Sequence, residues 1–124
     1  MIRYTPDPVR SLAPDEVFVF GSSSAGRHGG GAGRAAIAFG AVWGEGHGLH
    51  GQTYAIDTMS GVEVLAAEAS TFLAFAGEHA ELTFLLTPVG RGIAGYSKAE
   101  VAPMFASATS NVVMPESFAR VLGA

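Results

Sequence analysis

Residues 17–36 read VFVFGSSSAGRHGGGAGRAA: four apolar residues, two of them aromatic, then a loop carrying six glycines, then helix-forming alanines. Val17, Phe18, Val19 and Phe20 are β-branched or aromatic, with Asp15 and Glu16 before them and Gly21 after. That pattern predicts a short strand buried on both faces, at the centre of a sheet. Residues 34–39, RAAIAF, place Ala35, Ala38 and Phe39 at helical spacing, with Gly40 as the stop. Strand, bare loop and helix in succession form the opening unit of an α/β chain.

The sequence on either side extends this unit. Residues 42–51, VWGEGHGLHG, hold too much glycine for a regular element and read as an irregular loop, and residues 53–57, TYAID, read as a second strand. Residues 60–63, SGVE, have the S-x-x-E form of a capping box and predict a helix that follows, with Val62, Leu65, Ala66, Ala69, Phe72, Leu73 and Ala76 on its apolar face. Residues 82–87, LTFLLT, give a third strand, and residues 88–96, PVGRGIAGY, a second glycine loop. A second capping box, SKAE at 97–100, opens a helix through about Ala106. Residues 111–114, NVVM, make a fourth strand, and Pro115 at the first helical position starts a last helix over 116–122. This alternation predicts one domain over residues 1–124, a three-layer α/β/α sandwich around a mainly parallel sheet.

Composition narrows the function classes. A chain of 124 residues that is 48% hydrophobic and 15% charged closes a single core without staples. It has no cysteine, which excludes disulfides, thiolate metal sites and cysteine nucleophiles, and suits a reducing compartment; a cytoplasmic location is expected. The first residues, MIRYTPDPVR, lack a signal core, and no apolar run approaches the roughly 20 residues that cross a bilayer. Net charge is −4 and the seven basic residues are scattered, so neither duplex nucleic acid nor a membrane surface is an expected partner.

Both glycine loops directly follow a strand and directly precede a helix. In a doubly wound sheet the carboxyl ends of strands and the amino ends of helices share one edge, where ligands bind. Glycine clears side chains from backbone N–H groups, and a helix amino terminus adds about half a positive charge, so phosphate is the natural guest. Two such loops suggest a diphosphate, or a phosphate beside a sugar. The first loop has P-loop glycine spacing, but Arg27 and His28 stand where lysine and a magnesium-binding hydroxyl are required. The second matches G-x-G-x-x-G at residues 90–95, yet no acidic residue lies in a strand about 20 residues later, which counts against a nicotinamide cofactor.

Arg27 and Arg91, one per loop, are candidate phosphate contacts, because guanidinium forks match phosphate oxygens. His28 is a candidate acid or base, against a loop histidine that merely contacts solvent or ligand; Asp57 is a candidate for positioning water, against a turn or cap carboxylate. His47 and His50 lack a third ligand in any evident motif, so no metal site is expected, nor any cofactor. His79 falls at a helix end, where it complements the dipole. Trp43 and Tyr96 are candidates for stacking on a base or ribose, with Trp43 alternatively an anchor for its own loop.

Residues 89–97, VGRGIAGYS, are similar position by position to the I-S-T-G-V-Y-G-Y-P loop of macrodomains, the modules that bind ADP-ribose and related nucleotides. Residues 26–36, GRHGGGAGRAA, resemble the G-R-M-G-A-G-I-A form of macrodomains of the terminal ADP-ribose glycohydrolase type. Asp7 precedes Asp15 by the interval that separates the adenine-contacting aspartate of the family's G-D-I motif from the aspartate opening its next strand. The resemblance covers most of the chain. It implies that Asp7 accepts a hydrogen bond from the adenine amino group, and that Gly90, Arg91, Gly92, Ile93, Ala94, Gly95 and Tyr96 wrap the diphosphate and distal ribose. It likewise implies that Ser22, Ser23, Gly26, Arg27, Gly29, Gly30, Gly31 and Ala32 line the ribose and phosphate.

Two departures bear on activity. Serine within residues 22–24 replaces the family's ribose-contacting asparagine, and the glycohydrolase-like branch's aspartate and lysine are unmatched, with Ala94 at the former position and no lysine after the 54–58 strand. Binding of an ADP-ribose-like nucleotide without turnover is therefore the expected function. The alternative is a hydrolase that removes ADP-ribosyl groups from protein or nucleic acid, with water positioned by Asp57 or His28.

Overall fold

The computed structural model describes residues 3–23, 25–26, 35–90 and 94–123. It is a mixed α/β chain built on a five-stranded, mainly parallel sheet. The strands are β1 (Glu16–Ser22), β2 (Gly48–His50), β3 (Thr53–Asp57), β4 (Thr83–Leu86) and β5 (Val112–Val113), in the order β2-β3-β1-β4-β5. β1 pairs in parallel with both β3 and β4, and β4 with β5; β2 alone runs antiparallel, against β3. The apolar run at residues 17–20 is thus the middle of the sheet, and all four residues are buried. Beside the helical residues 35–37, the helices among the described residues are α1 (Val62–Glu78), α2 (Lys98–Val101) continued by a 3-10 turn (Ala102–Phe105), and α3 (Glu116–Val121).

Alternation along the strands divides the core in two. Val17, Val19, Tyr54, Ile56, Phe84 and Leu86 meet Leu65, Ala69, Phe72 and Ala76 of α1, with Val101, Phe105 and Phe118 from the later helices. Phe18, Phe20, Ala55 and Leu85 point the other way, onto Val9 and Ala36, with Leu12, Phe39 and Ala41 packed around them. On the first face Phe72 sits edge-on to Phe84 at 5.5 Å, an arrangement worth about 0.5–1.5 kcal/mol beyond burial.

Several elements depart from their sequence reading. Glycine content hid β2, whose three residues are held as an edge by pairing Gly48 with Ala55 and His50 with Thr53. The expected capping box at Ser60 does not form: Gly61, at φ 107°, is the N-cap without a side-chain bond, and Ser60 Oγ instead donates to Asp57 Oδ2 at 2.5 Å. Val62 and Ala66, expected on the buried face of α1, are exposed. Helix is described over residues 35–37, and its buried side is Ala36 with Phe39 half-buried, rather than Ala35 and Ala38. The helix after Ser97 tightens to 3-10 geometry at Ala102, where Pro103 supplies no N–H for an α-helical bond. Pro115 is the N-cap of α3, at ψ 147°, not its first helical residue.

The second capping box is present in full. Ser97 Oγ accepts the Glu100 N–H at 3.2 Å, and Glu100 Oε1 accepts the Ser97 N–H at 3.0 Å. Past the carboxyl end of α1, Asn111 Nδ2 reaches the carbonyls of Ala76 (2.9 Å), His79 (3.1 Å) and Leu82 (3.1 Å), the first two of which also accept the N–H groups of His79 and Leu82. His79 is the C-cap; its ring packs at 4.3 Å on Phe75 and its Nδ1 lies 3.1 Å from Glu81.

Candidate functional site

Because β1, β3, β4 and β5 are parallel, their carboxyl ends share one edge of the sheet. The chain leaving β1 reaches Ala36 in the second core, whereas the chain leaving β4 reaches Val101 and Phe105 in the first. Neighbouring parallel strands that send their connections to opposite faces open a crevice between them, the switch point at which α/β sheets bind ligands. The two glycine loops begin on the two sides of this crevice.

The backbones there approach closely. A Cβ on Gly21 would lie 3.8 Å from the Gly90 amide nitrogen and 3.0 Å from Thr58 Cγ2. Thr58 joins the third strand end to the same place, since its N–H and Oγ1 both donate to the Ser22 carbonyl, at 2.8 and 3.3 Å. On the β4 side, the Thr87 N–H and Oγ1 both donate to the Val19 carbonyl, at 3.1 and 2.7 Å. Strand ends from β1, β3 and β4 are therefore locked together, and the rim they form is stiff.

Several glycines serve the chain's own packing. Gly26 has φ 67°, and a Cβ there would lie 2.3 Å from the Glu45 nitrogen; the Gly44 N–H donates to the Gly26 carbonyl at 2.9 Å. Gly46 presses on Ser23, where a Cβ would lie 1.9 Å from the carbonyl oxygen. Gly26 is thus bare because residues 44–46 lie across it, a demand the sequence reading had assigned to a ligand. Gly90, at φ 79°, is enclosed by Leu65, Val101 and Tyr96 side chains, and its carbonyl accepts the Tyr96 N–H at 2.8 Å.

Glu68, on α1, ties this region together. Its Oε1 accepts the Asp57 N–H at 2.9 Å and lies 2.7 Å from His47 Nδ1, so Nδ1 carries the donated proton. Burial, with the Glu68 charge adding to it, pushes the Tyr54 hydroxyl above its ordinary range. His50 Nε2 lies 3.1 Å from the His47 carbonyl. Asp57 is 1% exposed and engaged locally: Oδ1 accepts the Met59 N–H at 2.9 Å and Oδ2 the Ser60 hydroxyl. The carboxylate thereby holds the turn into α1, the plainer of its two sequence readings. The His47–Glu68 pair had no motif to announce it, since it joins residues 21 apart.

Of the other candidates, Ser22 is buried and Ser23 half-buried at the end of β1; Ala94 and Tyr96 are half-buried and Gly95 exposed beyond β4. Tyr96 leans on the first core, and Trp43 is 60% exposed. Asp7 is exposed, two residues after Thr5, whose N–H and hydroxyl bond the Met114 and Val113 carbonyls at the carboxyl end of β5. Asp7 thus enters along the same edge as the crevice. Arg27, His28, Gly29, Gly30, Gly31, Ala32, Arg91, Gly92 and Ile93 lie outside the described residues. Among the described residues no three His, Asp or Glu side chains are grouped to hold a metal ion, and no helix is long and apolar enough to cross a membrane.

Comparison of the chain with protein-family models, with curated proteins and with solved structures found no match.

Proposed function

We propose that this chain binds an ADP-ribose-like nucleotide across the carboxyl edge of its sheet, in a macrodomain-like, three-layer α/β/α arrangement. The observation that supports this reading is the crevice between β1 and β4, from whose two sides the glycine loops emerge with Gly21 and Gly90 in near contact. Bare loops on a stiff rim suit a diphosphate, which needs backbone N–H groups already aimed and loses affinity when they must be ordered on binding. Sheet order supports the remaining assignments. Asp7, beside the end of β5, is at the adenine side, and Ser22 and Ser23, toward β3, are at the distal ribose. The acidic chain is not suited to duplex nucleic acid or an anionic membrane surface, and the absence of cysteine suits the cytoplasm.

Isothermal titration with ADP-ribose, alongside a thermal-shift series, tests the reading. A ligand at one hundred times its dissociation constant raises stability by about 2.7 kcal/mol, a readily measured shift. Absence of both heat and shift at millimolar ADP-ribose would remove the proposal.

A further inference from the structure

We propose that His47, its ring set by Glu68, is a catalytic base at the distal-ribose end of the nucleotide site, and that the chain hydrolyses an ADP-ribosyl group from the acceptor that carries it. The inference rests on the nucleotide reading for where the substrate lies, and goes beyond it in adding turnover.

Three elements place the pair. Continued one residue past Gly48 and Ala55, the β2–β3 register sets His47 beside Ile56, on the face that α1 covers. Glu68 reaches it from α1, whose Leu65 and Ala69 are fully buried. Its Oε1 is held twice, by the Asp57 N–H at 2.9 Å and by His47 Nδ1 at 2.7 Å. A carboxylate oxygen only accepts, so in the neutral ring the proton sits on Nδ1 and the lone pair on Nε2. The backbone is held as well, since His50 Nε2 donates to the His47 carbonyl at 3.1 Å. Among the described residues nothing bonds His47 Nε2, and the side chain is 52% exposed, so that nitrogen is open. In the same corner burial, and then the Glu68 charge, push the Tyr54 hydroxyl above its ordinary range, so it stays a phenol and competes for no proton.

The pair stands at the ends of β1 and β3. Gly46, next to His47, presses on the Ser23 carbonyl, and Glu68 bonds the amide of Asp57, which pairs in register with Ser22. Ser22 and Ser23 are where the nucleotide reading puts the distal ribose, so the anomeric carbon that carries the acceptor lies on the His47 side. Asp57 does not serve instead, because both its oxygens are engaged by Met59 and Ser60. Water gives a proton to Nε2 as its oxygen bonds the anomeric carbon; the bond from that carbon to the acceptor oxygen breaks, its electron pair leaving with the acceptor, and the imidazolium returns its proton to solvent. A lone base suits an acceptor that leaves as a stable anion, and a carboxylate acceptor yields ADP-ribose, the free carboxylate and a proton. Glu68 holds the ring without touching the substrate and is a positioning residue.

The test is release of free ADP-ribose from a peptide carrying an ADP-ribosyl ester on a glutamate side chain, beside isothermal titration with ADP-ribose, both on the intact chain. The wild type should turn over. His47→Ala should lose about a hundredfold in kcat, the low end of what a general base supplies, with KM and the ADP-ribose Kd held within about twofold. Added imidazole should restore part of that rate, which the loss of a merely structural contact does not allow. Glu68→Gln keeps an acceptor for the Asp57 N–H and should lower kcat by less, at unchanged KM. His79→Gln, at the C-cap of α1, is the control and should keep both constants. Turnover that His47→Ala leaves intact overturns the assignment, as does a loss that imidazole does not restore and that comes with weakened ADP-ribose binding. ADP-ribose binding with no release from the peptide overturns the inference and leaves the binding reading standing. Absence of ADP-ribose binding removes both.

Discussion

Gly46→Ala tests the packing of residues 44–46 on Ser23 and Gly26 with a single methyl group. Gly46 is not among the glycines at positive φ, so alanine fits its backbone conformation and any cost is steric. The added Cβ would stand 1.9 Å from the Ser23 carbonyl oxygen, 3.0 Å from its carbon and 3.2 Å from the Gly26 nitrogen, where ordinary contact begins at 3.4 Å. All three neighbours are backbone atoms, and the carbonyl belongs to the end of the central strand, so no side chain can swing aside. Residues 44–46 must then either stay in place, at the roughly 1–3 kcal/mol that overpacking costs, or lift by more than an ångström and lose the Gly44–Gly26 hydrogen bond, worth about 1 kcal/mol. At roughly 4 °C per kcal/mol the midpoint should fall by about 4 °C or more, and where the segment lifts the ADP-ribose affinity falls with it. Thermal unfolding by circular dichroism together with the titration reads both routes. Gly77→Ala is the matched control: its Cβ meets only Thr109 Cγ2 at 3.8 Å, and within α1 the change should stabilise by about 0.5–1 kcal/mol. A Gly46→Ala protein that melts with the wild type and binds as well as it does would refute the packing argument.

Two further outcomes follow from contacts away from the site. Asn111→Ala removes the side-chain amide shared by three carbonyls at the junction of α1 and β4, two of which keep a backbone donor, and should cost about 1 kcal/mol, measured by urea denaturation with an unchanged m-value. On the acid side, the Ala13 N–H and then the Arg3 guanidinium hold the Glu16 carboxyl below its ordinary value of 4.5, so its stabilisation is present above that value and fades as pH falls through the lower folded one. Glu16→Gln should flatten the midpoint-against-pH curve below about pH 4.5 and leave its shape near neutrality unchanged.

Where one element's own residues supply the physics, reading and structure agree. The runs at 17–20, 53–57 and 82–87 are apolar on both faces, and such strands are stable only inside a sheet covered on both sides. Ser97 and Glu100 close their box because each finds its partner three residues away. Ser60 carries the same local signature and fails, because Asp57 presents a carboxylate oxygen to its hydroxyl and Gly61 takes the cap. Sequence spacing describes which bond is available, and a neighbour at the strand end decided which one formed.

The candidate site divides along the same line. Two glycine loops after two strands were legible, and so was a common edge for them, since parallel strands linked by helices leave no other arrangement. Which glycines face a ligand and which face the chain was not legible. Gly26 lies bare against the backbone of Gly44 and Glu45, Gly46 against the carbonyl of Ser23, and Gly90 against the side chains of Leu65, Val101 and Tyr96. The His47–Glu68 pair joins residues 21 apart with no pattern between them.

By itself, then, the sequence determined the strands, the long helix and the edge at which the bare loops emerge, because hydrophobic period and glycine placement act within a few residues. Only tertiary structure decided the sheet order, the opposite faces taken by the connections after β1 and β4, and the lie of residues 44–46 over Ser23 and Gly26. Those depend on contacts between distant segments, whose free energy is set by shape and distance in three dimensions and leaves no local trace in the chain.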